Sequence, residues 1–84
     1  MADKSIDERV SKDINTFYEN VGLLSGRELA TELRKIYELA IMYAKDSESY
    51  KSKGDLITAF SCISYAHGLL DAVLKICKVD RYDI

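Results

Sequence analysis

The sequence predicts an all-α protein, an antiparallel up-down-up three-helix bundle with a short first helix and two long helices. None of its 84 residues is proline, so no position forbids a long helix. Apolar residues recur every three or four positions in three successive segments, which is the spacing of one helix face. Glycines and capping residues separate these segments. We therefore place helices at about 6–20, 26–52 and 56–78, within a single domain that spans 1–84.

The first helix is predicted to begin at a capping box. Ser5 is followed three positions later by Glu8, and this pair satisfies backbone N–H groups that have no partner at a helix start. Gly22 comes directly after the apolar run and indicates its end. The apolar stripe of this helix is Ile6, Val10, Ile14, Phe17 and Val21.

The second helix is predicted from a second pair with the same spacing. Ser25 and Glu28 form the expected capping box. The side opposite the apolar residues carries charged side chains, so we expect an amphipathic helix with one buried face. Its apolar stripe is Leu29, Leu33, Ile36, Ala40 and Tyr43.

The third helix is predicted to follow the Gly54-Asp55 pair, with Asp55 capping its N-terminus. Apolar residues cover more than half of its circumference, which indicates contact with both other helices. Short connections make successive helices antiparallel. The apolar positions of this helix are Ala59, Cys62, Ile63, Ala66, Leu69, Leu70, Val73, Ile76 and Cys77.

Composition and charge exclude several classes of function. A net charge of −2 and a pI near 5.3 give no basic surface for nucleic acid or for an anionic membrane. The polar start and the absence of a long apolar segment predict a cytoplasmic protein. Cys62 and Cys77 lie roughly 22 Å apart along one helix, too far for a disulfide. Two cysteines and one histidine offer no spacing for a metal or haem, so no cofactor is expected.

A binding surface is predicted at the tip of the hairpin formed by helices two and three. The first helix is predicted to be roughly 16–18 Å shorter than the second. We therefore expect it to cover only the first half of the second helix. An uncovered apolar tip is typical of an interface, so we expect a protein partner there. The partner is either a second copy of the chain, giving a homodimer, or a helix of another protein. The predicted partner-binding residues are Tyr43, Tyr50, Leu56 and Phe60.

An alternative site lies on the surface of helix three, where Asp71 follows His67 by one turn and could orient its imidazole. Such a surface, together with Ser64 and Gly68, fits a small-ligand or weakly catalytic protein. A boundary histidine and an Asp71–Lys75 ion pair explain the same residues without function. Gly68 indicates either a close approach to its backbone or a tolerated surface glycine. We expect no enzyme activity, because one straight helix supplies no free N–H donors for an oxyanion.

The second hairpin resembles a known family. Its pattern runs from Gly54-Asp55 through Ala59-Phe60 to the segment ISYAHGLLDA at 63–72. These residues are similar to those of the archaeal domain-of-unknown-function family 357, whose members often have tryptophan where this chain has Leu69. The resemblance implies a compact three-helix bundle and no established activity.

Overall fold

The fold class is confirmed by a computed structural model that describes the backbone of residues 2–81 and the side chains of residues 5–81. Within that part of the chain, three helices follow one another: α1 (Ala2–Gly22), α2 (Thr31–Ser52) and α3 (Leu56–Ile76). Asp7 near the start of α1 pairs with Lys51 near the end of α2, and Ser47 near the end of α2 bonds to Ala59 near the start of α3. The arrangement is therefore the expected up-down-up bundle, about 42 Å long.

The closest packing in the bundle joins α2 to α3. Small side chains line this interface on both helices and bring the two backbones together. Ser47 is fully buried there, and its hydroxyl donates a hydrogen bond of 2.7 Å to the carbonyl oxygen of Ala59. This bond satisfies a polar group that would otherwise be costly to bury. The fully buried small residues of the interface are Ala40, Ala44, Ser47, Ala59 and Ala66.

Helix α1 lies against α3 more than against α2, and it does so through larger side chains. Val10 and Phe17 are fully buried, and Ile14 is nearly so. The ring of Phe17 meets the ring of His67 edge to face, with centroids 5.6 Å apart. The predicted apolar stripe of the first helix is thus the face that completes the core.

The predicted turn between α2 and α3 is confirmed in detail. Gly54 has a φ of +85°, a left-handed conformation in which a side chain is strained. The backbone N–H of Asp55 donates to the carbonyl of Tyr50, which closes the helix end in a Schellman motif. The carboxylate of Asp55 then accepts a hydrogen bond of 3.1 Å from the N–H of Thr58 and caps α3.

The first helix is longer than predicted. It begins at Ala2, so Ser5 lies inside the helix and the expected cap at Ser5 is wrong. The helix contains 21 residues against 22 in α2 and 21 in α3. The first helix is therefore not the short one, because its helical residues precede the apolar run that guided the prediction.

The second helix begins later than predicted. Gly26 has a φ of +78°, which no right-handed helix accommodates, so the expected start at residue 26 is wrong. The capping box of Ser25 and Glu28 does not form, and Ala30 occupies the N-cap position without a side-chain cap. The connecting segment is instead held by Leu24, which is buried in the core. Burial of this leucine draws the chain away from a helical path.

The third helix ends at Ile76, two residues before the predicted end. Lys78 has a φ of +58°, and the N–H of Val79 donates to the carbonyl of Leu74. This is the same Schellman motif that ends α2, with lysine where α2 has glycine.

Helix α3 is long and apolar enough to cross a membrane by length and composition alone. The central helix of a small bundle passes the same test, because it must be apolar on several sides. Here α3 supplies more of the buried residues than the other helices, including Ile63, Leu70 and Val73. The chain forms a compact globular bundle around it.

Candidate binding surfaces

The equal lengths of the helices remove the geometric basis of the predicted tip. Helix α1 reaches the end of the hairpin, where the Nζ of Lys51 lies 3.3 Å from the Asp7 carboxylate. On the other side of α1, the guanidinium of Arg9 lies 5.8 Å from the centre of the Phe60 ring. The expectation that nothing from helix one covers this end is therefore wrong.

The four residues predicted to bind a partner have separate surroundings. Phe60 faces α1, whereas Tyr43 packs edge to face against Tyr65 on the far side of the hairpin, with ring centroids 4.7 Å apart. Tyr50 is exposed, and the ammonium of Lys53 lies 5.4 Å from its ring centre. Leu56 is half-buried in the first turn of α3. It lies one turn before Phe60 on the same helix. The rings of Phe60, Tyr43 and Tyr50 contact three different neighbours.

An apolar cleft nevertheless lies at this end of the bundle. It has a volume of about 380 Å³ and opens between the first turns of α1 and α3. Ile57 is 69% exposed, the largest exposure among the large apolar side chains described. We call this feature the hairpin-end cleft; its lining residues are Ser5, Ile6, Arg9, Ile57 and Phe60.

The sequence analysis missed Ile57, although the sequence contains a signal for it. Ile57 stands outside the spacing that links Ala59, Ile63 and Ala66, so helical geometry places it away from the core. One turn later, Phe60 continues the same apolar surface. Exposed apolar residues next to apolar walls are typical of interfaces.

His67, from the alternative site, is buried between α1 and α3. Its Nε2 donates a hydrogen bond of 2.8 Å to the backbone carbonyl of Asp13. The carbonyl can only accept, so the proton lies on Nε2. The Asp13 side chain turns the other way and accepts from the Nε of Arg9 at 3.1 and 3.2 Å. The imidazole is thus oriented by α1 and not by Asp71.

The remaining residues of the alternative site face different surroundings. The Asp71 carboxylate lies 3.4 Å from the Lys75 ammonium, as predicted, and 3.0 Å from the Nε of Arg81. Ser64 and Gly68 are exposed. A Cβ added at Gly68 would meet no described atom within 4 Å, so no close approach by a described residue explains this glycine.

A polar contact joins the exposed edges of α1 and α2. The hydroxyl of Tyr18 donates a hydrogen bond of 2.7 Å to the Glu48 carboxylate. Partial burial, this hydrogen bond and the nearby negative charge raise the pKa of Tyr18 to about 12, because each disfavours the phenolate. Sequence reasoning missed this pair, which only the packing of α1 beside α2 brings together.

The two cysteines are free thiols and both are half-buried. Burial raises the pKa of the Cys62 thiol, and the carboxylates of Asp46 and Asp55 add to the effect. A raised pKa makes a thiol less reactive, which is typical of a structural cysteine. Among the described residues, no three His, Cys, Asp or Glu side chains come close enough to hold a metal ion.

Comparison with known families identifies the chain. A family model described as protein of unknown function (DUF357) matches residues 12–77. The chain belongs to the DUF357 family. The resemblance noted in the hairpin is therefore confirmed, and no curated protein matches the chain. In this DUF357 protein the matched range includes Ile57 and Phe60, whereas Ile6 and Arg9 on the other wall of the cleft precede it.

Proposed function

We propose that this DUF357 protein is a non-catalytic interaction module that binds a partner protein through the hairpin-end cleft. The observation that carries the proposal is Ile57, which is 69% exposed at the edge of an apolar cleft. Leaving an isoleucine in water forgoes roughly 1.5–3 kcal/mol that its burial would supply. A partner that covers Ile57 and Phe60 together recovers much of that free energy.

The shape of the cleft favours an amphipathic helix over a small molecule. The volume of about 380 Å³ is in the range of ligand pockets, but the cleft is open along one side, whereas small-molecule sites enclose most of their ligand. Its walls span about one turn on each of two helices. A partner helix with two apolar side chains one turn apart fits this spacing. The proposal thus keeps Phe60 from the predicted tip and adds Ile57, Ile6 and Arg9.

Several contacts support a non-catalytic, cytoplasmic protein. His67 is buried and bonded to a backbone carbonyl, and Asp71 is paired with two basic side chains, so neither is poised beside a reacting group. The free thiols fit a reducing compartment. Nucleic acid and membranes are not part of the proposal, since the net charge is −2 and α3 serves as the core helix.

The experiment compares two exposed apolar residues, one inside the cleft and one outside it. Ile57 is 69% exposed in the cleft, and Met42 is 48% exposed on α2. Isopropanol, a small apolar probe, is titrated into protein with isotopically labelled methyl groups. We expect the methyl resonances of Ile57 and Ile6 to shift at lower concentration than that of Met42.

The second step uses tagged protein to capture partners from an extract of the source organism. We expect the wild type and the Met42→Glu control to retain a common partner, and Ile57→Glu to lose it. Circular dichroism checks that both variants fold. Equal retention by the two variants, or equal shifts of Ile57 and Met42 with isopropanol, would contradict the proposal.

A further inference from the structure

The side of α3 that faces away from α1 carries an exposed stripe without a single charge. Its residues recur at helical spacing, and Tyr43 of α2 packs against one edge of the stripe, at Tyr65. Tyr65 is 52% exposed and Ile76 is 61% exposed. Leu69 is half-buried and borders the stripe. We call this surface the α3 stripe; its residues are Ser61, Tyr65, Gly68, Leu69, Ala72 and Ile76.

Large and small side chains occupy the α3 stripe in an order that complements itself. When two copies of α3 run antiparallel about a two-fold axis between Gly68 and Leu69, each residue meets one whose number adds with its own to 137. Tyr65 then meets Ala72 of the second copy, and Leu69 meets Gly68. In the same register Ile76 meets Ser61. Each large side chain therefore faces a small one at all three levels of the stripe.

We infer that the α3 stripe is the interface of a homodimer in which two copies of α3 pack antiparallel about this axis. The inference is independent of the hairpin-end cleft, which lies on another side of α3. Gly68 supports it, because a glycine within a helix costs roughly 0.5–1 kcal/mol and no described residue occupies the space beside it. Across the axis, Gly68 is where the second helix approaches most closely.

The area available agrees with a dimer of modest affinity. Helix α3 has 21 residues, and with the adjoining flank of α2 it presents a face roughly 30 Å by 20 Å. The two copies together then bury about 1,200 Å², the lower limit of specific interfaces. Leu39 of α2 is 37% exposed and lies one turn before Tyr43, which contacts Tyr65 of the stripe, so Leu39 adds apolar surface on that side. We therefore expect a dimer that forms in the micromolar range rather than an obligate one.

Sedimentation equilibrium over a wide range of concentration is the first measurement. We expect the wild type to pass from monomer to dimer as its concentration rises. Ala72→Glu places a charge opposite Tyr65 and should weaken the dimer by about ten-fold or more. Ser64→Ala, on the same helix but outside the stripe, is the matched control and should associate as the wild type does. A chain that stays monomeric at millimolar concentration would overturn the inference.

Gly68→Ala separates the two interpretations of this glycine. Alanine favours the helix, so the variant should unfold at a higher temperature in either case when measured at concentrations where both proteins are monomeric. If Gly68 lies at the axis, the added methyl group weakens association by about ten-fold, although the fold is stabilised. An isotope-filtered NOE between the Tyr65 ring of one copy and the Ala72 methyl of the other reports the register directly. A dimer that tolerates Gly68→Ala and lacks this NOE would sink the proposed interface.

Discussion

The two interfaces of the bundle are built differently. Between α2 and α3, small side chains such as Ala44 and Ala59 let the backbones approach, and a buried Ser47 bonds across. Helix α1, in contrast, sits on the hairpin through the large ring of Phe17 and through polar contacts at its edges. The hairpin is therefore a tightly packed unit, and α1 is a layer added to it.

This difference determines how each interface responds to change. A close-packed interface of small residues has no room for added volume, whereas an interface built on one large ring is sensitive to its removal. Polar contacts at the edge of α1, such as that of Tyr18 with Glu48, also make its attachment depend on pH. Four predictions use these contrasts, from the largest expected effect to the smallest.

Removing the ring of Phe17 should have the largest effect. Phe17→Ala leaves a cavity under α1 and should lower the free energy of unfolding by about 3–5 kcal/mol in urea denaturation. Because a domain of this size has little stability to lose, Phe17→Leu gives a folded variant with a smaller loss, under about 1.5 kcal/mol. In that variant, hydrogen exchange should accelerate first in α1. Uniform acceleration across all three helices would contradict the picture of α1 as an added layer.

Adding volume between α2 and α3 should have the next largest effect. Ala44 is fully buried where the helices are closest, so Ala44→Leu should cost about 1–3 kcal/mol by overpacking. The neighbouring Lys45 is exposed, and Lys45→Leu is the control that adds apolar volume without contact. Urea denaturation of both variants measures the difference. A folded Ala44→Leu variant as stable as the wild type would show that the interface is looser than described.

The sequence predicted the hairpin better than the connection that precedes it. Gly54 and Asp55 act locally, by φ and by capping, so their roles could be derived from the residues alone. Ser25 and Glu28 have the spacing of a capping box as well, but burial of Leu24 and the left-handed Gly26 prevail over it. Tertiary burial of a leucine outweighs a local signal worth about 1 kcal/mol.

The candidate sites depend even more on tertiary structure. The sequence placed Phe60 at the hairpin end but could not show that α1 reaches it. Arg9, which contacts Phe60, lies within the predicted first helix, but the later start of α2 at Thr31 shortens α2 beside α1. It paired His67 with Asp71 by their spacing along one helix. The actual partner of the imidazole, the carbonyl of Asp13, is a backbone group 54 positions away that no side-chain pattern marks.

Helices α2 and α3 end in the same motif, with glycine at the key position in one and lysine in the other. Gly54 and Lys78 both occupy the left-handed position of a Schellman motif. Lysine is strained there and glycine is not, so Lys78→Gly should stabilise the bundle by about 0.5–1 kcal/mol. The converse change, Gly54→Lys, should destabilise it by a similar amount or more. Thermal denaturation measures both, and equal midpoints for the two variants would contradict the assignment.

The smallest expected effect comes from Tyr18 at the edge of α1, where solvent weakens the contact. Its pKa is raised to about 12 from 10.0, so the folded state holds the phenol proton more tightly than the unfolded chain does. The stabilisation by this group is therefore fully present below pH 10 and is lost as the pH rises toward 12. Tyr18→Phe should remove this part of the alkaline loss of stability, measured by urea denaturation at increasing pH.

Glu48→Gln, which keeps an acceptor but removes the charge, should retain the hydrogen bond and lower the pKa of Tyr18, as followed by phenolate absorbance. If the wild type and Tyr18→Phe lose stability in parallel above pH 10, the contact between α1 and α2 contributes nothing to the attachment of α1.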